Sequence, residues 1–190
     1  MFGFGKTEES DKQDRFARLV TPHMDAAYNL ARWLCGDDSH ADDIAQEAVM
    51  RAWQYFASFR GDAGRPWLLG IVRRAFFDWR AGLKREAQYE EPLEPEIHEQ
   101  VADDSLWAQS PEKWAERFAD AKALNTALAG LPLHYREALV LRELEDLSYK
   151  EIAKVVDVPV GTVMSRLARA RELMLRALND QGIMAYERKR

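Results

Sequence analysis

The sequence predicts an all-α protein made of two small helical domains joined by an acidic linker. Three observations lead there. Ala, Leu, Arg and Glu run in long stretches, broken by only seven prolines and ten glycines among 190 residues. Apolar residues recur at three- and four-residue spacing, and no run of alternating β-branched residues reads as a strand. A proline-bearing acidic stretch without sustained periodicity then parts the chain near its middle. With 47% apolar residues each half can bury a core, while 31% charged residues imply broad solvated faces.

Residues 1–15, "MFGFGKTEESDKQDR", are expected to form a flexible tail, with no apolar stretch of signal-peptide length. The first domain is placed at residues 16–85. "RFARLVTPHMDAAYNLARWLCGD" reads as a helical region kinked around Pro22 and closed by Gly36. Ser39 is expected to cap "HADDIAQEAVMRAWQYFASF", with Asp42 and Asp43 in the first turn, where they favour the helix dipole, and Gly61 ending the helix. Pro66 suits the first position of the next helix, "PWLLGIVRRAFFDWRAGLKR". Leu68, Val72, Ala75 and Trp79 have core spacing there, and Arg73, Phe77, Arg80 and Lys84 share another face.

Residues 86–110 read as the acidic linker, carrying Pro92 and Pro95. The second domain spans 111–179, followed by a short basic tail at 180–190. Ser110-Pro111 opens a helix with Trp114, Phe118, Ala121, Leu124 and Leu128 on one stripe, stopped by Gly130 and Pro132. "LHYREALVLRELED" gives a further helix. Ser148 and Glu151 then form an S-x-x-E capping box, which specifies a helix from Tyr149 until Asp157-Val158-Pro159 breaks it. The last helix begins at Val160 or Gly161. Val163, Leu167, Ala170, Met174 and Leu178 form its inward stripe, and Thr162, Ser165, Arg166, Arg169 and Arg176 cluster opposite. Hydroxyls at a helix start with arginines facing outward suit major-groove reading, because arginine bonds guanine in bidentate fashion and hydroxyls engage phosphate.

The net charge of −5 hides segregation. Arg60–Arg85 holds seven basic residues against two acidic ones, and Glu86–Asp120 holds eleven acidic against two basic. Gly161–Leu178 carries four arginines against Glu172 alone. Attraction to nucleic acid depends on the local patch, since charges beyond ~8–10 Å are largely screened at physiological salt. The four histidines, His23, His40, His98 and His134, are scattered, and no H-E-x-x-H, C-x-x-C or glycine-rich phosphate loop occurs. No catalysis, metal or cofactor is therefore expected. Cys35 stands alone, so no internal disulfide can form, and it is read as a small buried apolar group in a cytoplasmic protein.

"LPLHYREALVLRELEDLSYKEIAKVVDVPVGTVMSRLARAR" resembles region 4 of bacterial RNA polymerase sigma factors of the extracytoplasmic-function group. The pattern is carried by Leu131, Pro132 and Arg136, then Leu147–Ala153, then Pro159–Arg171. The resemblance implies that Thr162, Ser165, Arg166 and Arg169 contact the promoter −35 element. Met164 departs from it, standing where the family often has lysine. "DDIAQEAVMRAWQYFASFRG" resembles the part of sigma region 2 that docks on the coiled coil of the polymerase β′ subunit, which implies docking through Asp43, Gln46, Glu47, Met50 and Arg51. "PWLLGIVRRAFFDWRAGLKR" resembles the adjoining part that binds and opens the −10 element.

Opening a duplex unstacks bases, and the freed strand is held by aromatic stacking, ~1–3 kcal/mol per base, together with cationic contacts. Phe59, Arg60, Arg73, Arg74, Phe77, Arg80 and Lys84 are the candidates. Arg73-Arg74 stands where the family commonly has Arg-Asn, so the −10 preference is not set by the resemblance. The partners implied are core RNA polymerase (β′ coiled coil and β flap), promoter DNA and an anti-sigma factor, often membrane-bound. The acidic linker would run through the polymerase's basic RNA path. A helix-turn-helix regulator acting without polymerase is the rival reading, and it leaves the region 2 resemblance unexplained.

Overall fold

The computed structural model describes residues 4–87 and 121–180, in which all regular structure is helical. The chain divides into two compact units, one built from the N-terminal helices and one from the C-terminal helices. Most of the expected linker, and the expected helical start carrying Trp114 and Phe118, lie outside the described residues.

The first unit holds α1 (Phe4–Leu19), α2 (Met24–Cys35), α3 (Asp38–Tyr55) and α4 (Gly64–Ala87). Helices α2, α3 and α4 pack mutually around Leu30, Leu34, Ile44, Leu68, Leu69, Val72 and Phe76, all of them buried. Ala41, Ala48 and Ala52 supply a small-residue stripe on α3, so its backbone can lie close to its neighbours. The expected kink at Pro22 is a single 3-10 turn, Thr21–His23, between α1 and α2. Gly36 closes α2 in the left-handed conformation, φ 77°, which a side chain would strain.

Four local expectations need correction. Residues 1–15 are not a flexible tail throughout, because α1 is already helical from Phe4. Its anchors are long-range: Arg15 Nη2 donates to the carbonyls of Phe59 (2.8 Å) and Gly61 (3.2 Å), and Phe16 packs edge-on against Trp53 and Phe56. Asp37, not Ser39, caps α3, its carboxylate accepting from the His40 amide at 2.9 Å. That bond holds the Asp37 carboxyl below its ordinary range. Helix α3 ends at Tyr55 and passes into a 3-10 turn, Phe56–Ser58, well before Gly61. Helix α4 starts at Gly64 rather than Pro66, and a β-carbon on Gly64 would collide with the Leu19 carbonyl. The proline ring thus sits in the first turn, whose amides have no intrahelical partner anyway.

Trp79 is also only half-buried. Its ring lies against His40 (4.9 Å) and Phe76 (5.9 Å) beside the bundle core. Cys35 is half-buried too, and its thiol donates to the Asp37 carbonyl at 3.1 Å; burial pushes its pKa up.

The second unit holds α5 (Ala121–Ala129), α6 (Leu133–Leu139) running into a π turn (Val140–Leu144), α7 (Tyr149–Val156) and α8 (Val160–Asp180). Leu128, Leu131, Leu139, Leu141, Leu147 and Ile152 enclose the buried stripe of α8, which is Val163, Leu167, Ala170, Met174 and Leu178 as expected.

Candidate nucleic-acid interface

The helix pair α7–α8 is fixed by local chemistry at its start and turn. Ser148 Oγ accepts from the Glu151 amide (3.3 Å), and the Glu151 carboxylate accepts from the Ser148 amide (2.9 Å), so two otherwise orphaned donors are satisfied. Asp157 ends α7 with φ 55°, and Val160 begins α8 three residues later, directly after Pro159. The two helices are thus joined by residues 157–159 alone, a tight turn of the kind a helix-turn-helix uses.

On the outward side of α8 stand Thr162, Ser165, Arg166 and Arg169, all half-exposed, with Arg176 more exposed further along. Ser165 Oγ donates to the Thr162 carbonyl at 3.0 Å. Glu172 pairs with Arg169 at 2.6 Å and also bonds Arg176. The hydrogen bond from Arg169 is the main cause that holds the Glu172 carboxyl below its usual range. One carboxylate therefore positions two of the outward arginines.

Three arginines serve the fold here, and sequence reasoning assigned none of them this work. Arg171 is buried and ion-paired with Glu143 of the π turn at 2.9 Å. Burial works against its charge, but the hydrogen bond and charge of Glu143 outweigh that and raise its pKa. Its spacing of four from Leu167 and eight from Val163 places it on the apolar stripe, a signal the sequence did contain. Arg136 donates to the Ala129 carbonyl at 3.2 Å, closing the C-terminus of α5. Arg142 donates to the Leu147 carbonyl at 2.9 Å and lies over the Tyr149 ring, bracing the approach to α7.

In the first unit, α4 carries the second basic face. The Arg73 guanidinium lies 4.7 Å from the Phe77 ring centroid, Arg74 is exposed, and Arg80 is half-exposed. Lys84 belongs to the same helix, its side chain outside the described residues. Arg60 is exposed in the loop ahead of α4. Phe59 differs: it stacks on Trp67 (4.4 Å, 24°), with Phe56 and the Arg15 guanidinium close by. It is a packed ring with an exposed part rather than a projecting one.

The outer face of α3 brings Asp43, Gln46, Glu47 and Met50 together. Asp43 and Gln46 are exposed, and Met50 is 54% exposed, unusually high for an apolar side chain. Arg51 is engaged within the unit, pairing with Glu47 at 2.7 Å and with Asp78 of α4 at 2.5 Å. The Asp78 hydrogen bond is the largest cause of its raised pKa. This pair ties α3 to α4, so Arg51 orients the face as much as it belongs to it.

Family comparison matches "Sigma-70 region 2" to residues 19–86 and "Sigma-70, region 4" to residues 121–174. The chain is 31% identical to the ECF RNA polymerase sigma factor SigW of Bacillus subtilis, over 92% of this chain and 95% of SigW. The chain belongs to the extracytoplasmic-function sigma factors. It is also 31% identical to SigE of Mycolicibacterium smegmatis, covering 89% of this chain but only 63% of that longer relative. Among solved structures it resembles the sigma factor RpoE of Bartonella quintana, determined in complex with the anti-sigma factor NepR. The TM-score is 0.67 and the identity 27%, over 86% of this chain and 96% of that one. In this sigma factor α2–α4 form region 2, and α5–α8 form region 4 with its helix-turn-helix. No helix among the described residues is long and apolar enough to cross a membrane, and no cluster among them has the donor set of a metal site.

Proposed function

We propose that this sigma factor directs core RNA polymerase to promoters by gripping it through region 2 and reading DNA through both regions. Region 4 reads the −35 element with Thr162, Ser165, Arg166 and Arg169 of α8. Region 2 docks on the β′ coiled coil with Asp43, Gln46, Glu47 and Met50, and Arg51 holds that face against α4. The Arg73–Phe77 pair, with Arg60, Arg74, Arg80 and Lys84, engages and opens the −10 element. Phe59 adds the edge that its stack on Trp67 leaves exposed.

The single observation that carries this reading is the pairing in one chain of two basic helix faces, on α4 and α8, with an outward α3 face bearing an exposed methionine. A repressor needs the faces but not the methionine. The factor performs no chemistry of its own, since nucleotide addition belongs to the polymerase. An anti-sigma partner that covers these surfaces holds it inactive in the cytoplasm, at a membrane where that partner is membrane-bound.

Co-elution with core polymerase tests the docking half. The wild-type chain should co-elute, and Gln46→Ala/Met50→Ala should weaken binding at least tenfold with an unchanged melting temperature. Undiminished binding by the double variant would place the docking surface elsewhere.

A further inference from the structure

Helix α8 opens with two exposed apolar side chains on an otherwise polar, cationic surface. Val160 is 37% and Met164 40% exposed, and a spacing of four residues makes them one continuous ridge. Around the helix, Ser165, Arg169 and Thr162 form the centre of the outward face. Met164 lies on one flank of it and Arg166 on the other. A recognition helix lies in the major groove with its N-terminal residues contacting base edges, and Val160 and Met164 belong to the first two turns of α8.

The two flanks differ in chemistry. Arg166 carries a guanidinium that can engage phosphate or guanine, whereas a thioether and an isopropyl group offer neither charge nor a donor. The apolar group that the major groove itself provides is the C5-methyl of thymine, which only T·A and A·T pairs display. Resting on the reading of region 4 given above, we infer that Met164, supported by Val160, is a specificity-determining residue that packs against a thymine methyl of the −35 element. This flank of α8 thus selects a base by an apolar contact, beside the polar contacts of the rest of the face.

Deoxyuridine tests this directly, because it pairs as thymine does and lacks only the methyl. Holoenzyme assembled from core polymerase and the full chain is bound to a promoter chosen by transcribing fragmented genomic DNA. Each thymine of the −35 region, on both strands, is replaced singly by deoxyuridine. For the wild type, one or two positions should lose about fourfold in affinity, the size of one methyl group left in water. Met164→Ala should bind the thymine and deoxyuridine forms of those positions equally. Met164→Lys should also ignore the substitution while binding all sequences more tightly through phosphate.

Wild-type indifference at every position, or sensitivity unchanged in Met164→Ala, overturns the inference. A footprint without any −35 protection overturns the parent reading and this one with it, and the footprint distinguishes that failure from the first.

Discussion

Glu172 holds Arg169 and Arg176 on the face of α8 assigned to DNA, so a phosphate must compete with a carboxylate already in place. Exposed pairs of this kind contribute little to stability. Their effect belongs to binding: Glu172→Gln should tighten holoenzyme binding to non-specific DNA about three- to tenfold at low salt and steepen its salt dependence. Competition binding across a salt series measures both, and an unchanged slope would mean that Glu172 does not restrain the arginines. Phe59 and Arg74 separate folding from promoter opening in the same way. Phe59→Ala breaks the stack on Trp67 and should cost region 2 about 2 kcal/mol, read as a lowered melting temperature. Arg74→Ala, at an exposed position, should leave melting unchanged and reduce permanganate reactivity of the opened −10 thymines. The reverse pattern would exchange their roles.

The buried Arg171, paired with Glu143, adds an ionic tie to the apolar packing that holds the recognition helix on its scaffold. Arg171→Met leaves the partly buried Glu143 carboxylate without that cation and should cost about 3 kcal/mol, the low end for such a truncation because Glu143 keeps 28% exposure. Differential scanning calorimetry of the full chain should show the region 4 transition moving down while that of region 2 stays; no shift would mean the pair is energetically neutral. Gly64→Ala should destabilise region 2 instead, because its methyl has no room beside the Leu19 carbonyl.

These elements also mark what could be read from residues alone. Local signals were legible: the Ser148–Glu151 box, the Gly36 cap, the break at Pro159 and the inward stripe of α8 all depend on neighbours within a turn or two. Long-range pairings were not. The C-terminal part of α1 is anchored by Arg15 reaching Phe59 and Gly61, more than forty residues away, and periodicity carries no trace of it. Asp37, Asp38 and Ser39 are all good capping types, so only backbone geometry chooses among them. Resemblance alone points to Arg51 and Phe59 as contact residues, and their partners Asp78 and Trp67 lie on the next helix, α4, beyond the reach of local periodicity.

The overall acidity and the nucleic-acid faces are compatible because the charges are segregated along the chain. The Arg60–Arg85 and Gly161–Leu178 segments are basic, and Glu86–Asp120, most of it outside the described residues, concentrates the acids. Promoter affinity should accordingly fall steeply with salt despite the net charge of −5, and removing Arg74 and Arg80 together should lower the slope by about 1–2. The central claim is that one chain couples polymerase to promoter through both regions, and run-off transcription with purified core polymerase tests it most directly. Core plus this sigma factor should yield discrete transcripts from genomic fragments. Core alone should yield none, and neither Arg166→Ala/Arg169→Ala nor Gln46→Ala/Met50→Ala should restore them. Identical transcripts with and without the protein, or tight promoter binding without core and no transcript with it, would contradict the account.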